Sequence, residues 1–279
     1  MKIRHRIAYD KDTISEEFIN FLRAKNSKFE DTNSFIGVAY IFEDDEWIDE
    51  LYSYYQKEKI TPIIDAIYTK EEYEKAQWYS ILSKFRFEYP QPEDDSAYKG
   101  ITYNNSKFCS SCGCGLVQKD SFRIVKAPKW GKRHFLMLNW VEDELFISSF
   151  AKDLLVRNSI SGLRFLDVIN HKKNIPFDDI YQIYIENELE PGLLELKQSV
   201  KEVRNCSICG KAKYIYSGKG LTFRKEIFSN INSDIVRTHE SFGDGHICAR
   251  KIIISKKLYQ LIKNSNLGKD LDFEPIVLA

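Results

Sequence analysis

Two copies of the motif Cys-x-x-Cys-Gly constrain this chain more than any other feature of its sequence. One copy begins at Cys109 and the other at Cys206, 97 residues later. The two-residue spacing lets both sulfurs of a pair bind one ion, and the glycine lets the backbone turn so that N–H groups face the thiolates. Two such pairs predict one closed, structural Zn²⁺ site. Its predicted ligands are Cys109, Cys112, Cys206 and Cys209.

The remaining cysteines and two histidines leave alternatives open for this site. Cys114 could replace Cys112 as a ligand, although a small buried thiol is the simpler interpretation for Cys114 and for Cys248. The second motif could instead form its own site with Cys248 and either His239 or His246. The pairs could also be redox-active or metal-free, but neither has the context of a thioredoxin-like pair. A disulfide frame is not expected inside a cell.

A second set of repeated features follows each cysteine pair. Ser148 and Ser255 each end an apolar, strand-like segment, and aligning them superimposes apolar residues at helical spacing. A serine hydroxyl in this position can accept from the free N–H groups of a helix, so both residues are predicted N-caps. The sequence therefore predicts an internal duplication. Two β-rich units with CxxCG zinc knuckles are expected at residues 101–190 and 200–279.

The N-terminal third alternates strand-like and helix-like segments. Capping boxes begin at Thr13 and Thr69, and the helix after the second box is predicted to include Trp78. This alternation predicts an α/β-like, plait-like part at residues 1–90. Two prolines and an acidic run then predict a linker at residues 91–100. The expected fold class is α+β.

Charge is distributed unevenly along a chain whose total charge is zero. Residues 1–98 contain 13 Lys and Arg against 21 Asp and Glu, a net charge of −8, and the rest carries +8. An acidic N-terminal part suits a basic partner, although two differently solvated surfaces would give the same numbers. The sequence contains neither the apolar stretch of a secretory signal nor an apolar run long enough to span a membrane. We therefore expect a cytoplasmic protein that does not contact membranes.

The usual motifs of enzymes are absent from the sequence. It contains no GxxxxGK[ST], GxGxxG, HExxH or GxSxG motif. His239 and His246 are the strongest catalytic candidates, but the glycines beside them also fit a polar surface turn. We predict that the chain is not an enzyme.

A basic stretch at residues 119–134 raises an alternative function, nucleic-acid binding. It interleaves cations with the aromatic residues Phe122 and Trp130, as in surfaces where cations meet phosphates and aromatic rings stack on bases. An exposed hairpin whose apolar residues face inward would have the same pattern. The principal cations are Lys126, Lys129, Lys132 and Arg133.

The paired motifs and three further stretches resemble the bacterial double-CxxCG motif proteins. The stretches are VEDELFIS at 141–148, SGLRFLDV at 161–168 and SDIVRTHESFGDGHICARKIIIS at 233–255, so the resemblance covers roughly residues 100–279. That family includes immunity proteins that protect a cell from toxins delivered by its own kin. The resemblance implies that the four predicted ligands are the paired cysteines of the family, and that the chain neutralises a cognate protein toxin by direct binding. Cys114 departs from the simple pattern of the family.

Overall fold

The structure is a computed structural model that describes residues 1–30, 32–44, 46–194 and 200–279. The described part contains seven α-helices and several β-sheets, which confirms the predicted α+β class. The chain divides into two compact units. Unit 1 comprises Met1–Lys75 and Ser217–Gly220, and unit 2 comprises Ala76–Tyr216 and Leu221–Ala279.

Unit 1 is built on one antiparallel sheet. Its elements are β1 (Lys2–Asp10), α1 (Glu16–Ala24), β2 (Lys28–Glu30), β3 (Ile36–Phe42), α2 (Ile48–Lys57), β4 (Ile63–Ile67) and α3 (Lys70–Lys75). The strand order is β2-β3-β1-β4, and all neighbouring strands are antiparallel. Phe18 and Leu22 of α1 and Leu51 of α2 pack against Ile7 and Ile41 of the sheet. These residues recur at the helical period on the helices, which places them on one buried face.

One of the two predicted capping boxes is confirmed. The Thr69 hydroxyl accepts from the Glu72 N–H at 3.2 Å, and the Glu72 carboxylate accepts from the Thr69 N–H at 2.7 Å. The box predicted at Thr13 is wrong, because Ser15 is the N-cap of α1 and accepts from the Phe18 N–H.

Unit 2 contains most of the chain and most of its strands. Its described elements are β5 (Trp78–Ser83), β6 (Arg86–Phe87), α4 (Tyr98–Thr102), β7 (Tyr103–Asn104), β8 (Val117–Gln118), β9 (Arg123–Ile124), β10 (Phe135–Leu138), β11 (Leu145–Ile147), α5 (Ser149–Arg157), β12 (Leu163–Asn170), β13 (Ile175–Ile185), β14 (Val200–Asn205), β15 (Ala212–Tyr216), β16 (Thr222–Phe223), α6 (Glu226–Ser229), β17 (Ile235–Phe242), β18 (Ala249–Ser255), α7 (Lys256–Asn264), β19 (Leu271–Pro275) and β20 (Val277–Leu278). Two six-stranded sheets have the orders β6-β10-β11-β13-β12-β9 and β14-β15-β17-β18-β5-β19. The pairs β7-β8 and β16-β20 form two small sheets.

Strand β5 corrects the prediction of a helix through Trp78. Helix α3 ends at Lys75, and β5 lies between β18 and β19, antiparallel to both. Tyr79 of β5 is fully buried and stacks on Tyr259 with ring centroids 4.0 Å apart. A short apolar segment fits a helix and a buried strand equally well, so only the distant pairing decides between them. Residues 76–90 therefore belong to unit 2, although the sequence grouped them with the N-terminal part.

The segment predicted as a linker contributes to the core of unit 2. Tyr98 begins α4 and is 3% exposed, in a cluster that also contains Phe122, Trp130 and Phe146. A buried aromatic residue of this kind fixes the segment against the core, so residues 91–100 do not simply connect two parts.

The two serine caps lie at helix starts, as predicted. Ser148 caps α5 by accepting from the Ala151 N–H, and Ser255 caps α7 by accepting from the Leu258 N–H, both at 3.2 Å. The strands on either side of each helix are separated in their sheet by one strand that is antiparallel to both. That strand is β13 in the first sheet and β5 in the second.

Candidate metal centre

Each cysteine pair lies in a tight turn that is closed by the same backbone hydrogen bond. The Gly113 N–H donates to the Cys109 carbonyl oxygen at 2.8 Å, and the Gly210 N–H donates to the Cys206 carbonyl oxygen at 2.9 Å. Both glycines have a positive φ, 80° and 71°, where a Cβ would be strained. The turn expected from each CxxCG motif is therefore present.

The two turns bring four sulfurs together. The Sγ atoms of Cys109 and Cys206 are 3.7 Å apart, and those of Cys112 and Cys209 are 3.6 Å apart. All four sulfurs lie within 4.8 Å of one another. A tetrahedral zinc with Zn–S bonds of about 2.3 Å has sulfur–sulfur edges of about 3.8 Å. The donor set therefore fits Zn²⁺, and the four predicted cysteines are close enough to hold one ion.

Burial distinguishes the two turns, because Cys109 and Cys112 are buried, Cys206 is partly buried and Cys209 is exposed. Burial raises the pKa of the Cys112 thiol to about 12. The Cys206 thiol is more exposed and lies against the backbone N–H groups of Cys209 and Ile208, which lower its pKa to about 6. These N–H groups are oriented to stabilise a thiolate, as the glycine-ended turn predicts. A bound cation would favour the thiolate form of all four cysteines.

A buried lysine, which sequence reasoning missed, joins the first turn to the rest of unit 2. Lys213 of β15 is 5% exposed, and its ammonium donates to the carbonyl oxygens of Cys112 at 3.0 Å, Gly245 at 2.5 Å and Ile247 at 3.0 Å. Its positive charge offsets part of the negative charge that four thiolates would bring. Nothing in the sequence indicates this role. Lys211 and Lys213 lie on either side of Ala212, and such alternation is typical of the exposed face of a strand.

The turn at residues 244–247 packs directly on the first cysteine turn. A Cβ on Gly113 would lie 1.9 Å from the His246 carbonyl oxygen, so no side chain fits there. The adjacent Cys114 forms a disulfide with Cys248, and their Cα atoms are 5.1 Å apart. The expectation of two separate buried thiols is therefore wrong. Cys114 and Cys248 are 134 positions apart in sequence and meet beside the contact between this turn and the first cysteine turn.

The alternative ligand sets are not assembled in the described part of the chain. Its one group of three or more Cys, His, Asp or Glu ligand atoms consists of the four predicted cysteines. Cys114 and Cys248 are joined to each other. His239 is half exposed, and its Nδ1 lies 2.9 Å from a carboxylate oxygen of Glu188. His246 is exposed and contributes its backbone rather than its ring to the knuckle.

No family model matches the chain, and no curated protein matches it. Among the described residues, no helix has the length and apolar character needed to cross a membrane. The similarity to double-CxxCG proteins remains a prediction from the motifs.

Proposed function

We propose that this chain is a zinc-stabilised protein-binding protein of the immunity type, which neutralises a cognate toxin in the cytoplasm by direct binding. The observation that carries the proposal is the convergence of four thiols from two turns 97 residues apart. Four sulfurs complete the coordination of a tetrahedral ion and leave no position for a substrate. Such a centre is of the structural type and supplies no catalytic metal. The identity of the partner as a toxin rests on the motif resemblance.

Zinc would act as a cross-link between the two cysteine turns. The free energy of zinc coordination would stabilise the folded state, because the four ligands are not assembled in the unfolded chain. Cys109 and Cys112 would be joined to Cys206 and Cys209 across the two halves of unit 2.

We further interpret the two halves of unit 2 as copies of one ancestral unit. This interpretation is supported by the matching cysteine turns, by the caps at Ser148 and Ser255, and by the equivalent positions of β13 and β5. For unit 1, the β-α-β-β-α-β order of its first six elements and the strand order β2-β3-β1-β4 favour the plait-like interpretation.

An acidic surface at the start of α2 favours a basic protein partner. Its members are exposed, and their charges would accelerate association with a surface of opposite charge. The described members are Asp44, Glu46, Asp49 and Glu50, and Asp45 lies outside the described residues.

The aromatic residues that suggested the alternative function, nucleic-acid binding, are buried. Phe122 is fully buried and Trp130 is 9% exposed in the core of unit 2, so neither ring is available for stacking on a base. The Trp130 indole N–H donates to the Asp179 carbonyl oxygen at 2.8 Å. The exposed cations of this stretch still form a basic surface, and the experiment below tests whether it binds phosphates.

Two matched charge variants test the proposal. The partner would be captured from the native host, guided by the neighbouring gene, and its association rate measured at several salt concentrations. The acidic variant, with Asp44→Asn, Glu46→Gln, Asp49→Asn and Glu50→Gln, should associate severalfold more slowly and with a weaker salt dependence. The basic variant, with Lys126→Gln, Lys129→Gln, Lys132→Gln and Arg133→Gln, should bind the partner nearly as well as the native chain.

The same variants define the contrary result. Tight nucleic-acid binding that falls steeply with salt and disappears in the basic variant would replace the proposed function with the alternative. A turnover reaction that is lost in His239→Ala or His246→Ala would show an enzyme instead.

A further inference from the structure

Unit 2 contains a cleft of about 750 Å³ beside the first cysteine turn. The cleft runs between the end of β13, with residues 186–188, and the strands β15, β17 and β18. Gly113 and Cys114 of the first turn also line it, but the four sulfurs of the metal centre do not. The volume falls in the range of small-molecule binding sites.

The wall of the cleft is negatively charged. It contains five carboxylates, Asp143, Glu144, Glu186, Glu188 and Glu240, against three basic side chains, Lys211, Arg237 and Arg250. Two of the three basic groups are already paired within the wall. Arg237 is 5% exposed and contacts Glu144 at 2.7 Å and Asp143 at 3.4 Å, and Arg250 pairs with Glu188. The two arginines of the wall are therefore already neutralised towards an anionic ligand, and the third cation, Lys211, is exposed.

Among the described residues, Glu240 is the one carboxylate of the wall without a cationic partner. It is 6% exposed, and its Oε1 accepts from the N–H groups of Gly192 and Leu193, both at 2.8 Å. Its other oxygen, Oε2, is buried and has no hydrogen-bond partner among the described residues. A buried carboxylate oxygen is normally satisfied by a donor, and none of the described residues donates to this one.

The distribution of the carboxylates distinguishes between two kinds of cation. A metal ion needs ligand atoms that converge on one point. Within the described residues, the only converging group of three or more ligand atoms is the four cysteines, so no three carboxylates of the cleft converge on one point. Carboxylates that do not converge and room for several heavy atoms suit an organic cation, whose charge lies at the end of a carbon chain.

We propose that this cleft is a binding site for an organic cation, a ligand that carries an alkylammonium or guanidinium group, and that Glu240 neutralises the charged group. Glu188 and His239 lie at more exposed positions of the same wall and contact each other there. This proposal does not rest on the protein-binding function proposed above, and it can be tested without the toxin.

The probe is butylguanidinium, and the matched control ligand is butylurea, which has nearly the same shape but no charge. The full-length, zinc-loaded protein would be titrated with each compound while the backbone amide signals of Gly192 and Leu193 are followed by NMR. These two N–H groups bind Glu240 directly. Butylguanidinium should give saturable shifts of both signals, and butylurea should give none.

Variants assign the effect to the carboxylate. Glu240→Gln keeps the shape and an acceptor for both N–H groups, and it should weaken butylguanidinium binding at least tenfold. Glu226→Gln removes an equal charge from an exposed residue outside the cleft and should leave binding unchanged. If Glu240→Gln fails to fold, Glu188→Gln replaces it, and binding should fall severalfold because Arg250 would then be left unpaired in the wall.

Three results would overturn the proposal: no saturable shift with butylguanidinium, an equal response to butylurea, or unchanged binding in the folded cleft variants. A further titration with the peptide acetyl-Ala-Arg-Ala-amide identifies the source of the cation. Binding as tight as that of butylguanidinium assigns the site to an arginine of a protein partner, and weaker binding assigns it to a small molecule.

Discussion

The ammonium group of Lys213 lies 3.0 Å from the carbonyl oxygen of Cys112 and donates a hydrogen bond to it. The same group donates to the carbonyl oxygens of Gly245 and Ile247. One buried cation therefore holds the first cysteine turn against the turn that precedes β18. Because four thiolates carry more negative charge than one divalent ion neutralises, a fixed ammonium at this position should also favour the loaded metal centre.

Replacing Lys213 should destabilise the protein even though the residue binds no metal. Lys213→Met keeps the aliphatic stem but leaves three carbonyl oxygens without their shared donor. We expect a loss of at least about 2 kcal/mol in the free energy of unfolding. The exposed neighbour provides the control, and Lys211→Met should change stability by less than about 0.5 kcal/mol. Urea unfolding followed by circular dichroism measures both, and equal midpoints would contradict this role for Lys213.

The two knuckle glycines should respond differently to alanine. Both have a positive φ, so each substitution strains the backbone by about 1–2 kcal/mol. A Cβ on Gly210 would meet nothing within 4 Å, whereas a Cβ on Gly113 would overlap the His246 carbonyl oxygen. Gly113→Ala should therefore destabilise the protein well beyond Gly210→Ala and weaken its zinc affinity. Chemical denaturation and competition with a zinc chelator give the comparison, and similar losses would refute the close approach.

Purified protein should contain about one zinc ion per chain, bound by the four clustered cysteines. Cys206→Ser should abolish stoichiometric zinc and lower the melting temperature, because coordination contributes to folding. The double variant Cys114→Ser with Cys248→Ser removes two cysteines outside the cluster and should retain the metal. Elemental analysis of protein prepared without chelator measures the number of zinc ions per chain in the wild type and in each variant. Zinc-free wild type, or two equivalents per chain, would contradict a single four-cysteine site.

Truncation should show that unit 2 begins before β5, at residue 76, and not after residue 90, where the sequence analysis ended the N-terminal part. A chain of residues 76–279 retains β5, the strand between β18 and β19, and should keep its zinc. A chain of residues 91–279 lacks this strand and leaves the apolar edges of both partners uncovered, so it should aggregate. Zinc content and size-exclusion chromatography distinguish the two chains. A folded, zinc-loaded 91–279 would mean that β5 is dispensable.

Protonation of Asp234 in acid should lower the free energy of unfolding of the protein. Burial raises the pKa of this carboxyl, but hydrogen bonds from the Ser161 N–H, the Ser255 hydroxyl and Lys257 outweigh it and leave the pKa lowered. A lowered folded pKa stabilises the protein at neutral pH, and this stabilisation is lost as the pH falls below about 4. Asp234→Asn should cost about 1–3 kcal/mol at pH 7, and the difference from wild type should shrink in acid.

Thermal or urea unfolding between neutral pH and acid tests this linkage. Asp153→Asn, which changes an exposed carboxylate on α5, should follow the wild-type profile throughout. A constant difference between Asp234→Asn and wild type at all pH values would show that the Asp234 charge does not stabilise the fold.

Features that depend on neighbouring residues could be predicted from sequence. The cysteine turns, the caps at Ser148 and Ser255 and the box at Thr69 all rest on hydrogen bonds that span three or four residues. Such bonds form wherever the right donors and acceptors occur at the right spacing. The chemistry of the candidate site followed in the same way, because CxxCG spacing specifies a pair of sulfurs that face one ion.

Features that depend on distant partners could not be predicted. The spacing of apolar residues around Trp78 fits a helix as well as a strand, and the strands that pair with this segment, β18 and β19, lie more than 170 residues away. The disulfide between Cys114 and Cys248 likewise joins residues far apart in sequence. The burial of Glu240 on β17, in the wall of the cleft, also depends on the tertiary structure.

The sequence by itself determined the donor atoms, the turns that present them and the α+β character of the chain, because each follows from local spacing and local hydrogen bonds. Only the tertiary structure decided which thiols meet, which strand completes the second sheet, and why Lys213 is buried. These outcomes depend on contacts between residues far apart in sequence. Each such contact is weak, and the favoured pairing is set by the sum of many of them over the whole fold.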